Sequence, residues 1–223
     1  MPTERLPILT FVEQAARTVG NGAAVLDVGA GTAPYRELFS HTRYRTVDWP
    51  GSPHAAGRDA DIVASAEAIP LPSRSVDLIL LTQVLEHVPR PLAVLDEQHR
   101  LLREGGRLIV TVPMTWELHE QPHDYFRFTA AGLAAVLEQS GFAVREQSAR
   151  GGTLDTIAQL LRNVSWQLGS RPEDNLDDLR ADAAILLREV AAFLETMQPL
   201  ATVDLLPLGF QADAEKAITA PRS

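Results

Sequence analysis

Four groups of residues have the types and spacing to do chemistry. The first is the loop Asp27-Val28-Gly29-Ala30-Gly31-Thr32, directly after the apolar run AAVL. Glycines at positions 29 and 31 remove the Cβ atoms that would hold a ligand away from backbone N–H groups. A dinucleotide loop wants a third glycine at position 34 for close packing near the pyrophosphate. Pro34 stands there, which argues against a nicotinamide or flavin dinucleotide and an oxidoreductase reading. An acid in the loop, Asp27, suits a cationic ligand better than a diphosphate. The second group is Asp48, seventeen residues after Gly31, where a carboxylate can accept from both hydroxyls of a ribose. A nucleoside with a positively charged tail meets both requirements. The bland alternative for either acid is a carboxylate bonding its own turn.

The third group is His87 in LEHV, and the fourth is the run His119-Glu120-Gln121-Pro122-His123-Asp124. The run formally matches HExxH, but a zinc protease needs those histidines one helical turn apart, and Pro122 breaks such a helix. A loop that walls a ligand pocket fits better. His123, oriented by Asp124, would take a proton from a ligand hydroxyl or amine, with His87 as the other candidate base. Trp116, His119, Tyr125 and Arg127 are the candidate contacts to that ligand. The alternative for DYFRF is a loop anchored by aromatic burial and an Arg127 ion pair.

The elements that must position these groups follow from periodicity. Leu6, Leu9, Val12, Ala16 and Val19 mark an amphipathic helix. AAVLDV, the run from Tyr44 to Val47, DIVAS and VDLILLT read as strands, with a helix expected over PYRELFS. PLAVLDEQHRLLREGG reads as a helix with Arg100 and Arg103 in its C-terminal turn, followed by the buried strand GRLIVTVP. Thr129 caps a helix that Gly141 ends, and FAVREQS alternates as a strand. Regular alternation of helix and strand predicts an α/β doubly wound, mainly parallel sheet of about seven strands, with its site beyond the carboxyl ends of the strands. The pattern is interrupted over 151–204, where TLDTIAQLLRNVSWQL and the Leu176–Met197 periodicity read as two helices inserted before a last short strand in LGFQADAEKA. The acid-rich run from Arg171 to Glu195 is expected to be the solvated face of the second.

Composition bounds the rest. The 223 residues are 45% hydrophobic and 22% charged, which excludes a disordered or fibrous chain. With no cysteine there is no disulfide framework and no thiolate-bound metal, and a cytoplasmic location is the expectation. The net charge of −9, with Lys216 the one lysine, leaves no basic tract for nucleic acid. Neither a signal peptide nor a membrane span is expected.

VLDVGAGT, the acid in TVDW, the stretch AEAIPLPSRSVDLILLTQVLEHV and LLREGGRLIVTVP together resemble, in order and spacing, the successive motifs of class I S-adenosylmethionine-dependent methyltransferases of the methyltransferase domain 11-like family. The resemblance covers roughly residues 23–150 and, more thinly, 205–216. HEQPHDYFRFTAAGL followed by SGFAV is similar to a bacterial subgroup associated with methylation of cell-surface polysaccharides or small metabolites. The resemblance implies a Rossmann-like fold and S-adenosylmethionine as cofactor, with S-adenosylhomocysteine as product. It implies that Asp27, Gly29, Ala30 and Gly31 cradle the methionine part, Asp48 the ribose and Trp49 the adenine, with Thr82 and Gln83 facing the sulfonium. Many relatives place an Asp where Ser65 stands, so Ser65 and the N–H of Ala66 are the candidate adenine contacts here. The expected activity is methylation of a small-molecule, sugar- or lipid-linked acceptor, at oxygen first and nitrogen second, by a monomer or homodimer. Methyl transfer from a sulfonium needs no metal, so none is expected, a loop-borne ion on His119, His123 and Asp124 being the alternative. Ser65 favours a non-catalytic nucleoside-binding module as a further reading. Residues 1–223 are expected to form a single domain, with 151–204 lining the acceptor site.

Overall fold

The computed structural model describes residues 5–52, 60–169, 177–200 and 205–217. Helix α1 (Arg5–Thr18) leads into β1 (Ala24–Val28), β2 (Arg43–Asp48), β3 (Ile62–Val63) and β4 (Val76–Thr82). Then come α2 (Pro91–Leu101), β5 (Leu102–Pro113), α3 (Ala130–Gln139), β6 (Phe142–Arg150), α4 (Thr153–Gly169), α5 (Asp177–Met197) and β7 (Gly209–Lys216). The seven strands form one sheet in the order β3-β2-β1-β4-β5-β7-β6. The first five run parallel, and β7 lies antiparallel between β5 and β6. This is the mainly parallel Rossmann-like sheet that the sequence predicts.

Strand alternation divides the core between the two faces. Leu26, Val28, Ile79 and Leu81 face a cluster completed by Val94 and Leu95 of α2 and Leu133 and Leu137 of α3. Val25, Leu78, Leu80 and Ile109 face α1, whose Ile8, Phe11, Val12, Ala15 and Ala16 recur at the three- and four-residue spacing of one helical stripe. Each of these large side chains contributes about 1.5–3 kcal/mol by leaving water. The central stretches of β4 and β5, LILL and LIV, therefore read as continuous apolar runs. Thr129 caps α3 as expected, its Oγ1 accepting from the Gly132 N–H at 3.1 Å.

Two elements differ from expectation. The helix expected over PYRELFS is a single 3-10 turn, Arg36–Phe39. Ala33 enters it in the left-handed region (φ +52°), and Thr42 closes its other end by donating from N and Oγ1 to the Phe39 carbonyl. Phe39, fully buried under α1, fixes the turn. Helix α2 stops earlier than expected: Leu102 is already extended and pairs with Val76, so Arg103 lies on β5 and pairs with Asp77. The last carbonyls of α2 are met from elsewhere, because Lys216 Nζ donates to the His99 and Leu102 oxygens, each at 2.9 Å.

The two inserted helices are present between β6 and β7, packed on each other through Ser165 Oγ donating to the Ala184 carbonyl (2.7 Å) and an Arg162–Glu195 ion pair. Part of the acid-rich run, 171–176, and the end of the insertion, 201–204, lie outside the described residues, as do 53–59 of the Gly-, Pro- and Ser-rich stretch. No helix among the described residues is long and apolar enough to cross a membrane.

Candidate functional site

The carboxyl ends of β1, β2, β3, β4 and β5 lie along one edge of the sheet, and every candidate residue lies there, in the turns that follow, or on the loop after β5. The β1 loop is held by backbone geometry. Gly29 has φ +71°, and a Cβ on it would meet Val84 Cγ2 at 2.5 Å, so only glycine fits against the turn after β4. Its N–H and that of Ala30 donate to the Val47 carbonyl, at 2.9 and 3.2 Å. Gly31 (φ +52°) donates to Asp48 Oδ2 at 2.9 Å, and Trp49 N–H donates to Asp48 Oδ1 at 2.8 Å. Asp48 is thus the staple between the end of β2 and the glycine loop, with lone pairs remaining on both oxygens.

Asp27 is fully buried, and its Oδ2 accepts from the Tyr44 hydroxyl, while Oδ1 has no hydrogen-bond partner among the described residues. Burial, opposed by the Tyr44 hydrogen bond and reinforced by the Asp48 charge, pushes its carboxyl up to about 7. Tyr44, which sequence reasoning missed, is visible only once β1 and β2 are in register, with Asp27 opposite Thr46.

At the end of β4, Gln83 sits in the left-handed region (φ +55°), its N–H bonded to the Thr111 carbonyl and its amide to Thr111 Oγ1. Thr82, in register with Thr111, is half-buried beside it. The Ser65 Oγ accepts from the Glu67 N–H at 3.3 Å, and the Ala66 carbonyl accepts from Gln98.

The loop after β5 departs most from expectation. Asp124 does not orient His123. Its carboxylate, with the side chain 2% exposed, takes both Arg127 Nη1 (2.6 Å) and Nη2 (2.9 Å) together with the His119 N–H (2.9 Å). The guanidinium three residues on offers a bidentate fork that no imidazole matches. It holds the Asp124 carboxyl far below the usual carboxylate range. Arg127 also donates to the Trp116, Glu117 and Phe126 carbonyls, so it binds its own loop rather than facing a ligand. The anchoring alternative for DYFRF is therefore the observed one for Asp124 and Arg127.

His123 stands instead against the Trp49 ring, edge-on at 5.1 Å between centroids, with its Nδ1 3.3 Å from the Tyr125 hydroxyl. That contact joins the end of β2 to the loop. His87, in a 3-10 turn after β4 (Leu85–His87), approaches the His123 carbonyl with Nδ1 at 2.6 Å. The Glu86 carbonyl accepts from the Tyr125 and Phe126 N–H groups, which pins the loop to this turn. His119 packs edge-on against His87 at 4.7 Å. Burial, and then the nearby His87, lower its affinity for a proton. Glu86 is fully buried with its carboxylate 3.9 Å from His87 Nε2, and Glu120 approaches the same nitrogen at 3.9 Å. Glu120 belongs to the HExxH-like run, whereas Glu86 was not singled out by the sequence, since an acid in a turn signals nothing until the loop folds over it.

Residues 26–110 match the model of the methyltransferase domain family. An uncharacterized methyltransferase of Mycobacteroides abscessus is 33% identical over 111 residues, which are 44% of this chain and 43% of that protein. The chain spans less than half the length of the curated relatives it matches. Among solved structures, the cyclase SpnF superposes with a TM-score of 0.61 at 18% identity, covering 95% of this chain and 81% of that one. An S-adenosylmethionine-dependent methyltransferase of Archaeoglobus fulgidus gives 0.59 at 14% identity, covering 95% and 94%. At such identities the superpositions establish the fold. The sheet order and the glycine loop stapled by the acid of β2 agree with that match: residues 26–110 are similar to a methyltransferase domain, carried on the sheet that these solved structures share.

Proposed function

We propose that the chain transfers a methyl group from S-adenosylmethionine to an oxygen of a small-molecule, sugar- or lipid-linked acceptor. The observation that carries the donor assignment is the pair of acids at the glycine loop. Asp27 presents a buried oxygen with no partner among the described residues, beside a backbone that only glycine can form, and Asp48 borders the same loop with lone pairs to offer. A cationic amino-acid tail and a ribose diol are the groups that this pair of acids fits. When bound, the donor supplies an electrophilic methyl carried on a sulfonium.

The protein's own contribution is positioning. Gly29 and Gly31 admit the donor to the backbone, Asp48 would accept from the ribose, and Ala66 N–H and Trp49 would border the adenine. Thr82 and Gln83 would face the methionine end. Alignment of the reacting atoms is worth up to about 7–11 kcal/mol of the barrier. His123, held between Trp49 and Tyr125, would take the proton of an acceptor hydroxyl, a contribution of about 10²–10⁴-fold. Trp116 and Tyr125 would flank the acceptor. The 151–204 insertion belongs in this reading to the same single domain as a wall of the acceptor site, supported by Gln167 of α4 donating to Glu117 of the loop at 2.9 Å.

Calorimetric titration with S-adenosylhomocysteine tests the donor assignment. Binding by the intact chain, weakened by about 10-fold or more in Asp48→Ala, is the expected result. No heat with the intact chain would overturn it.

A further inference from the structure

We propose that Glu86, His87 and His119 form a binding site for a divalent first-row transition-metal ion, with Glu120 at its rim. Their ligand atoms, one imidazole nitrogen from each histidine and one carboxylate oxygen, all lie within 4.8 Å of one another. Among the described residues this is the group of side chains whose metal-ligating atoms converge. It is not the His119, His123 and Asp124 set suggested by the sequence, because Asp124 is taken by Arg127 and His123 by Trp49 and Tyr125.

The orientation of both imidazoles argues for a ligand. His87 Nδ1 lies 2.6 Å from the His123 carbonyl, and His119 Nδ1 lies 3.2 Å from the Glu117 carbonyl. A carbonyl only accepts, so the short contact puts the His87 proton on Nδ1 and leaves its Nε2, 3.9 Å from the Glu86 carboxylate, with a lone pair for an ion; His119 Nδ1 also lies 3.5 Å from Arg127 Nη2. Metal-binding histidines are held in this way, with one nitrogen donating to a backbone carbonyl and the other on the ion. The third donor is as constrained, since Glu86 has no solvent exposure and its backbone is fixed by two N–H groups of the loop. A carboxylate in that position lies 3.9 Å from His87 Nε2, as does Glu120. Ligand atoms about 2.1 Å from a tetrahedral zinc lie roughly 3.4 Å apart, so the cluster closes on an ion through small side-chain rotations.

Two imidazoles with one or two carboxylates suit zinc, manganese, cobalt or nickel, and not calcium or magnesium, which take oxygen donors. The remaining coordination positions would take oxygen ligands, water or a hydroxyl of a bound molecule. The site sits on the turn after β4 and on the loop after β5, so an ion would bridge two segments that are otherwise joined by backbone bonds. The inference does not depend on the methyl-transfer reading.

The test is titration of the chelator-stripped full chain with cobalt chloride, followed by calorimetry and by ligand-field absorption in the visible. Uptake of about one Co²⁺ per chain is expected, weakened by at least about 10-fold in His119→Asn and in His87→Gln. His41→Asn, which removes an imidazole bonded to the Val19 carbonyl far from the cluster, should bind cobalt as the intact chain does. His119 is partly exposed, so its variant remains informative if replacing the buried Glu86 prevents folding. No cobalt uptake by the intact chain overturns the proposal, and so does uptake that His119→Asn and His87→Gln leave unchanged. S-adenosylhomocysteine titrated separately keeps the two readings apart, since either ligand can bind where the other fails.

Discussion

The two sides of the candidate site are built by different means. On the side proposed for the donor, the β1 loop and the end of β2 are held by backbone N–H groups, two glycines with positive φ and one stapling acid. On the side proposed for the acceptor, residues 114–129 have no regular structure, and the loop is held by side chains, chiefly the buried Asp124–Arg127 pair and the contacts of three histidines. Geometry fixed by strands tolerates side-chain loss. Geometry fixed by side chains does not.

Arg127→Ala is the change that should separate the two sides most sharply. It leaves the Asp124 carboxylate buried without its fork, at a cost of about 3 kcal/mol, or roughly 6–12 °C in Tm. S-adenosylhomocysteine affinity should hold within about 2-fold in the folded protein, and a loss as large as that of Asp48→Ala would mean that the two sides are one unit. Gly29→Ala works in the other direction. The left-handed conformation costs about 1–2 kcal/mol with a Cβ, and Val84 must also move. We expect the loss to appear as an affinity for S-adenosylhomocysteine at least about 10-fold weaker, with cobalt uptake unchanged.

Asp27 offers a pH test of the donor side. Its folded-state pKa, raised to about 7, means that its contribution to stability is full below the unfolded value near 3.8 and is lost as pH rises through 7. Asp27→Asn should therefore be the more stable protein at pH 8 and lose its advantage toward pH 4, as followed by thermal denaturation. The ammonium of the ligand's amino-acid tail favours the carboxylate, so S-adenosylhomocysteine should bind about 10-fold more weakly at pH 6 than at pH 8, and Asp27→Asn should flatten that slope. A slope that survives the substitution would remove Asp27 from the donor site. Smallest of all, Thr129→Ala should cost about 1 kcal/mol through the lost cap of α3 and leave both ligand affinities unchanged.

The same contrast explains what the sequence could tell. The succession of strands along the chain, the glycine loop and the acid at Asp48 are legible because each depends on local spacing and an apolar period; the place of β7 between β5 and β6 is not. The shortened helix at Arg36–Phe39 was not, since what ends it is Thr42 bonding back to Phe39, and the periodicity of PYRELF is indifferent to that. In the loop, the sequence held both roles for Asp124, and the choice fell to a residue three positions on whose guanidinium reaches it. Glu86 was silent because its meaning lies in His119, thirty-three positions away. Pairings across such separations leave no periodic trace.

The placement of β7 has a consequence for how this chain is made. Residues 209–216 enter between β5 and β6, and among the described residues β6 has no other neighbour in the sheet. While the chain is still emerging from the ribosome, β5 carries one open edge and β6 stands unpaired, rows of N–H and C=O groups waiting on a segment translated well after both. The nascent domain thus reaches its full sheet, and covers the end of α2 with Lys216, only when its final strand is released.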